Sequence, residues 1–459
     1  MKRFIRIIVV LFFSGIIITS CTNDNEWKNA EVTNTELKTL LQERGYTFNE
    51  QGLLVQDDMV LNTTKLDLSG TGISDLSGLG VFPNLTEIDL SGNGYGPKFD
   101  FSILPTTITA VDLTGNEIYD YTGLVDVVSE ENGDETVTQL QKLKKLILPG
   151  SAKYNCDQIV YFYEQNKSEI ENGTVTMQMA DATGQLYSYT PLRDVPDAAV
   201  LAYLKGQFPE LFTSNNQIDI SKRLISNANK SINTSKFTNA EGFAYVAMNR
   251  NFEGGTVIVS AAEETDAMPY LKIKPTVVFL YLNYVNTSVI DLSEAVNLYG
   301  CIVSNNNTIK TIDLSSSKIL GQRGLEGEIN IDPTSVSRIE AYLCPNLETL
   351  TLPEKAEIIV YITACNLPKL KHLDLANIKL TALFSLGEIS SVTYPKLEHF
   401  MLWSGELDNE NGSVAFGISE DMLQVAGTVD FISTYRKNLK CWEGMSQYGI
   451  SSYKWDNSY

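Results

Sequence analysis

The segment KLDLSGTGISDLSGLGVFPNLTEIDLSGN, residues 65–93, states one phrase twice: Leu66-Asp67-Leu68-Ser69-Gly70 returns as Ile88-Asp89-Leu90-Ser91-Gly92, 22 residues later. Such a repeat constrains the fold strongly, because one copy is a supersecondary unit that cannot bury its apolar side chains alone. Copies must stack. The pattern apolar-x-x-apolar-x-apolar recurs at Leu85/Ile88/Leu90, Ile108/Val111/Leu113 and Leu143/Leu146/Leu148, with Thr63/Leu66/Leu68 an imperfect first copy. Alternation along a short strand turns Leu66 and Leu68 inward and leaves Lys65 and Asp67 outside. Asn93 and Asn116 each lie three residues past the last apolar position, where an amide side chain can bond the backbone as the chain turns back.

From about Val277 to Trp403 the spacing returns at Ile309/Ile312/Leu314, Leu347/Leu350/Leu352, Leu370/Leu373/Leu375 and Leu397/Phe400/Leu402. A second series is interleaved: Val296-x-Leu298-x-x-Cys301, Ile339-x-Ala341-x-x-Cys344 and Val360-x-Ile362-x-x-Cys365, its cysteines 43 and then 21 residues apart. These motifs resemble the leucine-rich repeat family. The first block is similar to its 22-residue internalin-like form, with GISDLSGL as the return segment, and CPNLETLTLPEKAEII resembles the BspA-like surface-antigen repeat. The resemblance implies a repeat solenoid, a β-rich leucine-rich repeat superhelix in two blocks with short helical caps. It also implies that Cys301, Cys344 and Cys365 are buried thiols in the ladder position that asparagine holds in the first block, rather than nucleophiles or metal ligands.

Two segments read as the caps. Thr33-x-x-Glu36 in VTNTELKTLLQERGYTF offers a capping box. In DVPDAAVLAYLKGQFPELF, Pro196 stands near a helix start and Val200, Leu201, Leu204 and Phe208 follow at helical spacing. Both are similar to the helical module that covers the open apolar end of bacterial leucine-rich repeats. The expected organisation is a signal peptide (1–20), a tether (21–32), a helical cap (33–60), a first repeat block (61–150), a connector with a hairpin (151–193), a second helical cap (194–230), a second repeat block (231–411) and a C-terminal cap (412–459). Within the first block SEENGDETVTQ reads as a polar excursion.

The first residues carry an address. Lys2, Arg3 and Arg6 precede a 12-residue apolar stretch, Ile7 to Ile18, too short to span a bilayer and suited to a signal h-region. Ile18-Thr19-Ser20-Cys21 resembles a bacterial lipobox, which implies cleavage before Cys21 and acylation there. Each buried methylene of such chains adds about 0.8 kcal/mol of membrane affinity. With Asp24 and Glu26 close behind, the segment is similar to those of Bacteroides-type surface lipoproteins. The expected localisation is an outer-membrane lipoprotein exposed at the cell surface, touching the membrane through the lipid anchor only.

Charge and motif content narrow the function. Lys and Arg total 35 against 56 Asp and Glu, a formal charge of -21 with no basic patch, so nucleic acid is not an expected partner. Two histidines exclude HExxH zinc sites and most triads, and the chain has no Walker loop, GxSxG or Cys-x-x-Cys. A carboxylate pair for glycoside hydrolysis stays open on sequence alone, but a solenoid offers a shallow face rather than a cleft. No enzyme activity and no cofactor are expected. Asp67, Asp89 and Asp112 form one outward column and Asp291, Asp313 and Asp374 another, expected to be solvated rather than calcium-bridged because no EF-hand-like spacing is present. His372 and His399 share a repeat position with Asp374 two residues along, yet ligands on a flat strand suit tetrahedral metal geometry poorly.

Tyr299, Tyr342 and Tyr361 are the candidate ligand-surface residues. Stacked on neighbouring repeats, their rings would form a platform for a sugar or an extended chain, or would simply pack on one another. The function expected is a lipid-anchored cell-envelope binding or adhesion protein that displays its repeat surface to an extracellular protein or glycan. Two alternatives are an accessory glycan-capture lipoprotein of an uptake system and a purely structural envelope component.

Overall fold

The computed structural model describes residues 29–129, 135–224, 231–234, 237–265, 268–320 and 337–353, then Leu367, residues 369–370 and the backbone of strands Ile359–Cys365, His372–Leu375, Leu380–Leu386, His399–Leu402 and Ala415–Ile418. The expected signal peptide, most of the tether and the Cys21 anchor lie outside the described residues, as does the chain after Ile418. The fold is β-rich, with few helices and mostly parallel multi-strand sheets.

In the first half, short strands Lys65–Asp67, Glu87–Asp89, Ala110–Asp112, Lys145–Leu148 and Thr176–Ala180 pair in parallel, and Leu186–Ser188 closes the six-stranded sheet antiparallel. The register brings Leu66, Ile88, Val111, Leu146 and Met177 into one column, each no more than 3% exposed. Three-residue strands have almost no stability of their own. The column holds because each buried side chain rests on its equivalents before and after it.

Two polar devices close each repeat. The Asn93 amide donates to the carbonyls of Leu68 and Leu90 at 2.9 Å each, and its oxygen accepts from the Gly72 N–H at 2.8 Å. Asn116 does the same one repeat on, donating to Leu90 and Leu113 (3.1 and 2.8 Å) and accepting from the N–H of Asn93 and Tyr95 (3.0 and 3.1 Å). The aspartate column corrects the sequence expectation: Asp67, Asp89 and Asp112 are in register, but they are not merely solvated. Each accepts from the N–H and hydroxyl two residues on, in Ser69, Ser91 and Thr114, at 2.7 to 3.0 Å. These Asx turns let the chain leave the strand. The following glycines Gly70, Gly92 and Gly115 take φ of 60°, 65° and 70°, a left-handed turn in which a Cβ is strained.

In the second half an eight-stranded parallel sheet runs Ile232–Thr234, Thr256–Thr265, Phe279–Val285, Gly300–Ser304, Arg338–Tyr342, Ile359–Cys365, Leu380–Leu386, Ala415–Ile418. Its inward positions Val259, Leu282, Val303 and Ala341 are fully buried. The last strand lies beyond position 411, so parallel pairing runs into the segment expected as a C-terminal cap. Tyr284, Asn305 and Leu343, each five residues past the register column of Phe279, Gly300 and Arg338, all have φ of 51° to 57°. Two of the strands thus end, and the third bends one residue before its end, on the same left-handed conformation without glycine.

The cysteine series does not form one ladder. Cys301 lies within a strand, paired with Ile339; Cys344 follows its strand; Cys365 pairs with Tyr342. Cys301 and Cys344 are buried, as expected, and the Cys344 thiol donates to the carbonyls of Val303 and Tyr342 at 3.6 and 3.4 Å, much as asparagine does in the first half. The misalignment has two parts. Between the last two members Ile339 pairs with Ile362, not Val360, a two-residue slip that keeps every side chain on its own face; between the first two Ala341 pairs with Val303, not Leu298, an odd slip of five that changes the face.

The helix Thr35–Glu43 is capped by Asn34, whose side chain accepts from the Leu37 N–H, rather than by Thr33. Glu36 does not reach back as a capping box requires; it accepts from the N–H and hydroxyl of Ser74 instead, so the helix is tied to the repeats. Leu37 and Leu41 are fully buried against the first core. The second expected helix forms at Ala198–Gln207 with Asp197 as cap. The hairpin in the connector forms, but both of its strands belong to the six-stranded sheet. The polar excursion carries an antiparallel pair, Val125–Ser129 with Glu135–Gln139. Helices Gln158–Gln165 and Glu241–Ala247 had no expectation attached.

Candidate functional site

The three tyrosines do not stack. Tyr361 pairs with Arg338 while Tyr342 pairs with Cys365, so the two are four positions apart along the strand, roughly 13 Å at 3.3 Å per residue. Tyr299 precedes its strand by one residue and packs half-buried against Phe279, ring centroids 5.9 Å apart. The Tyr361 side chain lies outside the described residues. The platform drawn from the cysteine spacing therefore fails with that spacing. The outward face of the eight-stranded sheet carries another pattern, with half-buried Phe279, Tyr281 and Tyr342 and a polar line in which Asn283 donates to Ser260 (3.1 Å) and accepts from Ser304 (2.9 Å) and Asn305 (2.8 Å). Beside it Arg338 pairs with Glu340.

His372 and His399 do meet in register on neighbouring parallel strands, next to Thr349. Their side chains lie outside the described residues. Among the described residues no group of three or more His, Cys, Asp or Glu is placed to hold a metal ion.

A more concave site lies where the two halves of the chain meet. The halves are joined by stacked rings, Tyr119 on Tyr270 at 5.1 Å and 9° and Tyr154 on Tyr245 at 5.7 Å and 25°. Ion pairs join them too: Lys153 with Glu241 at 2.7 Å, and Arg250 with both oxygens of Glu164 at 2.9 and 3.1 Å. Tyr119, Tyr154, Cys156 and Val160, from the first half, are buried in the core of the second.

At the rim of this junction the strand pairs Lys98–Asp100/Asp120–Thr122 and Tyr270–Lys272/Val289–Asp291 bring four charged side chains together. Lys98 reaches Asp291 at 2.8 Å, and Lys272 reaches Asp120 at 3.3 Å and Glu294 at 2.9 Å. The Tyr270 hydroxyl donates to Asp291 at 3.1 Å. Burial alone would raise the Asp291 carboxyl, but hydrogen bonds from Lys98 and Ser293 outweigh it and hold the group at about 2. Asp120 behaves oppositely: burial pushes it above the ordinary range, and Lys272 only partly offsets this beside Asp157. Burial and the two nearby carboxylates, Asp120 and Asp291, push the Tyr270 hydroxyl upward, so it stays protonated and a donor.

Beside this cluster opens a pocket of about 410 Å³, lined by Lys98 from the first half and by Ser288 to Ser293, Lys310, Thr311, Asp313 and Ser316 from the second. Asp291 and Asp313 are expected from the sequence as a solvated outward column, and Asp291 departs from this: it is buried and bonded to Lys98 and Tyr270. Lys98 carried no signal at all, because its partner lies 193 positions away.

Comparison with protein-family models and with curated proteins finds no match for this chain.

Proposed function

We propose that the chain is a lipid-anchored binding or adhesion protein of the cell envelope, a leucine-rich repeat solenoid in two blocks that displays its strand faces to an extracellular protein or glycan. The observation that supports this most is the asparagine ladder at Asn93 and Asn116 within in-register parallel strands 22 to 23 residues apart. That arrangement uses most of its polar groups to hold the backbone, and leaves function to the side chains on its faces. The lipobox-like Ile18-Thr19-Ser20-Cys21 supports an outer-membrane anchor, and among the described residues no helix is long and apolar enough to cross a membrane.

The reading is non-catalytic. Asp291 is engaged by the Lys98 ammonium, the Tyr270 hydroxyl and the Ser293 N–H, so its oxygens serve to hold the junction together. The pocket, whose mainly apolar wall carries the hydroxyls of Ser288, Ser293 and Thr311, favours, as a second reading, an accessory glycan-capture lipoprotein of an uptake system. Immobilised full-length protein offered purified matrix proteins and an array of defined glycans should retain members of one class selectively. Retention of neither would leave only a structural role and overturn the proposal.

A further inference from the structure

The parallel rungs that join successive repeats are regular. Leu68 donates its N–H to the Asp89 carbonyl, Leu90 to Asp112, Ile273 to Asp291 and Leu314 to Thr351, each at 2.8 to 2.9 Å. The corresponding rung from Leu292 to Asp313 is missing. So is the rung that would bring the Thr311 N–H to the Ser288 carbonyl, as Thr349 is brought to Lys310 at 3.1 Å. Among the described residues no ladder joins Val289–Asp291 to Thr311–Asp313, although the two strands are 22 residues apart, the spacing at which Lys65–Asp67 and Glu87–Asp89 pair in the first half. The roughly 410 Å³ pocket opens at this break.

Backbone groups alternate in direction along a strand. The Asp291 carbonyl faces back toward the Tyr270–Lys272 strand, and the Lys310 carbonyl and Leu314 N–H face forward toward Thr349–Thr351. By that alternation, the N–H of Ile290, Leu292, Thr311 and Asp313 are turned into the gap, with the carbonyls of Ile290 and Thr311. Groups of this kind need partners. The gap therefore offers backbone donors and acceptors together, framed by hydroxyls from Ser288, Ser293 and Thr311.

The charge balance narrows the ligand. Lys98 and Lys310 face the pocket with Asp291 and Asp313, two cations against two carboxylates, so neither a phosphate nor a divalent cation is favoured. Asp291 is already neutralised by Lys98, and the Asp313 carboxylate accepts from the Ser315 N–H at 3.0 Å. The volume lies near the lower end of small-molecule sites, roughly 300–1,000 Å³. The wall is mainly apolar, from Pro97, Val289, Ile290 and Leu292, with the backbone and hydroxyl groups set into it, so a neutral sugar, with hydroxyls at its edge and C–H groups on its face, matches it better than a singly charged ligand.

We infer that the break between Val289–Asp291 and Thr311–Asp313 is a binding site for a neutral sugar residue, walled on one side by Lys98 from the first half of the chain. The site is separate from the strand faces of the display reading and does not depend on the Cys21 anchor. The sugar is either a free monosaccharide or the end of a glycan chain.

Ligand-observed saturation-transfer NMR on the whole chain tests it, with methyl glycosides of glucose, galactose, mannose and N-acetylglucosamine, and trisaccharides ending in each. Transfer from at least one sugar is expected, in methyl glycoside and trisaccharide alike for a free-sugar site and in the trisaccharide alone for a chain-end site. Thr311→Val should weaken binding by about fivefold, the loss of one hydrogen bond, while Thr311→Ser retains it. Asp313→Asn, which keeps an acceptor for Ser315, should leave the circular dichroism spectrum unchanged and still weaken binding. Tyr281→Ala on the sheet face should have no effect. Absence of transfer from every sugar overturns the inference. So does an affinity, read from the concentration dependence of the transfer, that Thr311→Val leaves unchanged, or transfer lost in Tyr281→Ala, which would move the sugar to the sheet face and leave the display reading intact.

Discussion

Replacing Lys98 by Met tests whether the two halves of the chain are held by a compensated buried charge. Lys98 is about half exposed (48%), whereas Asp291 keeps only 6% of its side-chain surface. At 2.8 Å and an effective dielectric of about 20, the Coulomb attraction is roughly 6 kcal/mol. That is a gross figure, and most of it offsets the cost of taking Asp291 out of water. The net is better taken from the carboxyl itself, held at about 2 against an ordinary 3.8, which corresponds to roughly 2 kcal/mol. The group's folded value is depressed, so this stability is present above pH 3.8 and is lost as pH falls through about 2.

Without the ammonium, burial dominates and the Asp291 carboxyl should rise above its ordinary value. Lys98→Met should therefore cost about 2–4 kcal/mol at pH 7, more than the pair contributes, because an uncompensated carboxylate remains. The penalty should shrink toward pH 4 as the mutant's carboxyl takes up a proton. Asp291→Asn in the same chain should recover part of the loss. The assay is urea unfolding at both pH values, followed by near-ultraviolet circular dichroism of the tyrosines, since the Tyr119/Tyr270 stack adjoins the pair. A loss below about 0.5 kcal/mol at pH 7, in the range of surface pairs, would refute the reasoning. A double mutant no more stable than Lys98→Met would refute it equally.

Cys21→Ala should release the protein from the membrane fraction and abolish metabolic labelling with fatty acid; unchanged membrane retention would contradict the anchor. Asn116→Ala should cost about 2–4 kcal/mol in unfolding experiments, since it leaves the N–H of Asn93 and Tyr95 and the carbonyl of Leu113 without that partner, while the Leu90 carbonyl keeps the bond from Asn93. Asn93→Ala, at a less buried position, should cost less. Deleting residues 33–60 uncovers the apolar side chains under Leu37 and Leu41 and should give aggregation by light scattering, whereas a soluble, cooperatively folding truncation would show that the helix covers nothing essential.

The first half was legible because its signals are local and redundant. Leu66, Ile88 and Val111 each sit in a phrase with aspartate two residues before Ser or Thr and glycine after it, so the turn chemistry fixes the register that alternation alone leaves open. The eight-stranded sheet of the second half lacks that punctuation. Its long strands turn at Tyr284, Asn305 and Leu343, residues that do not advertise a left-handed conformation, and cysteines stood in as false markers. Offsets of five residues between Leu298 and Val303 and of two between Val360 and Ile362 built a tyrosine platform that the register dissolves. The junction was illegible for a different reason. The Lys98–Asp291 contact is one ion pair between strands that each read as ordinary repeats, and no periodicity within a block reports what the other block brings. The missing rung between Leu292 and Asp313 is harder still: Asp291-Leu292-Ser293 and Asp313-Leu314-Ser315 both keep the repeat's phrase, so the sequence predicts pairing where the strands part. Regular sequence over a broken ladder means that the interruption comes from tertiary packing, with Lys98 bonded to both Asp291 and Ser293 at the edge of the gap. The pocket is thus a property of the two halves together, and the residue that joins them there, Lys98, is also the one that walls the candidate site.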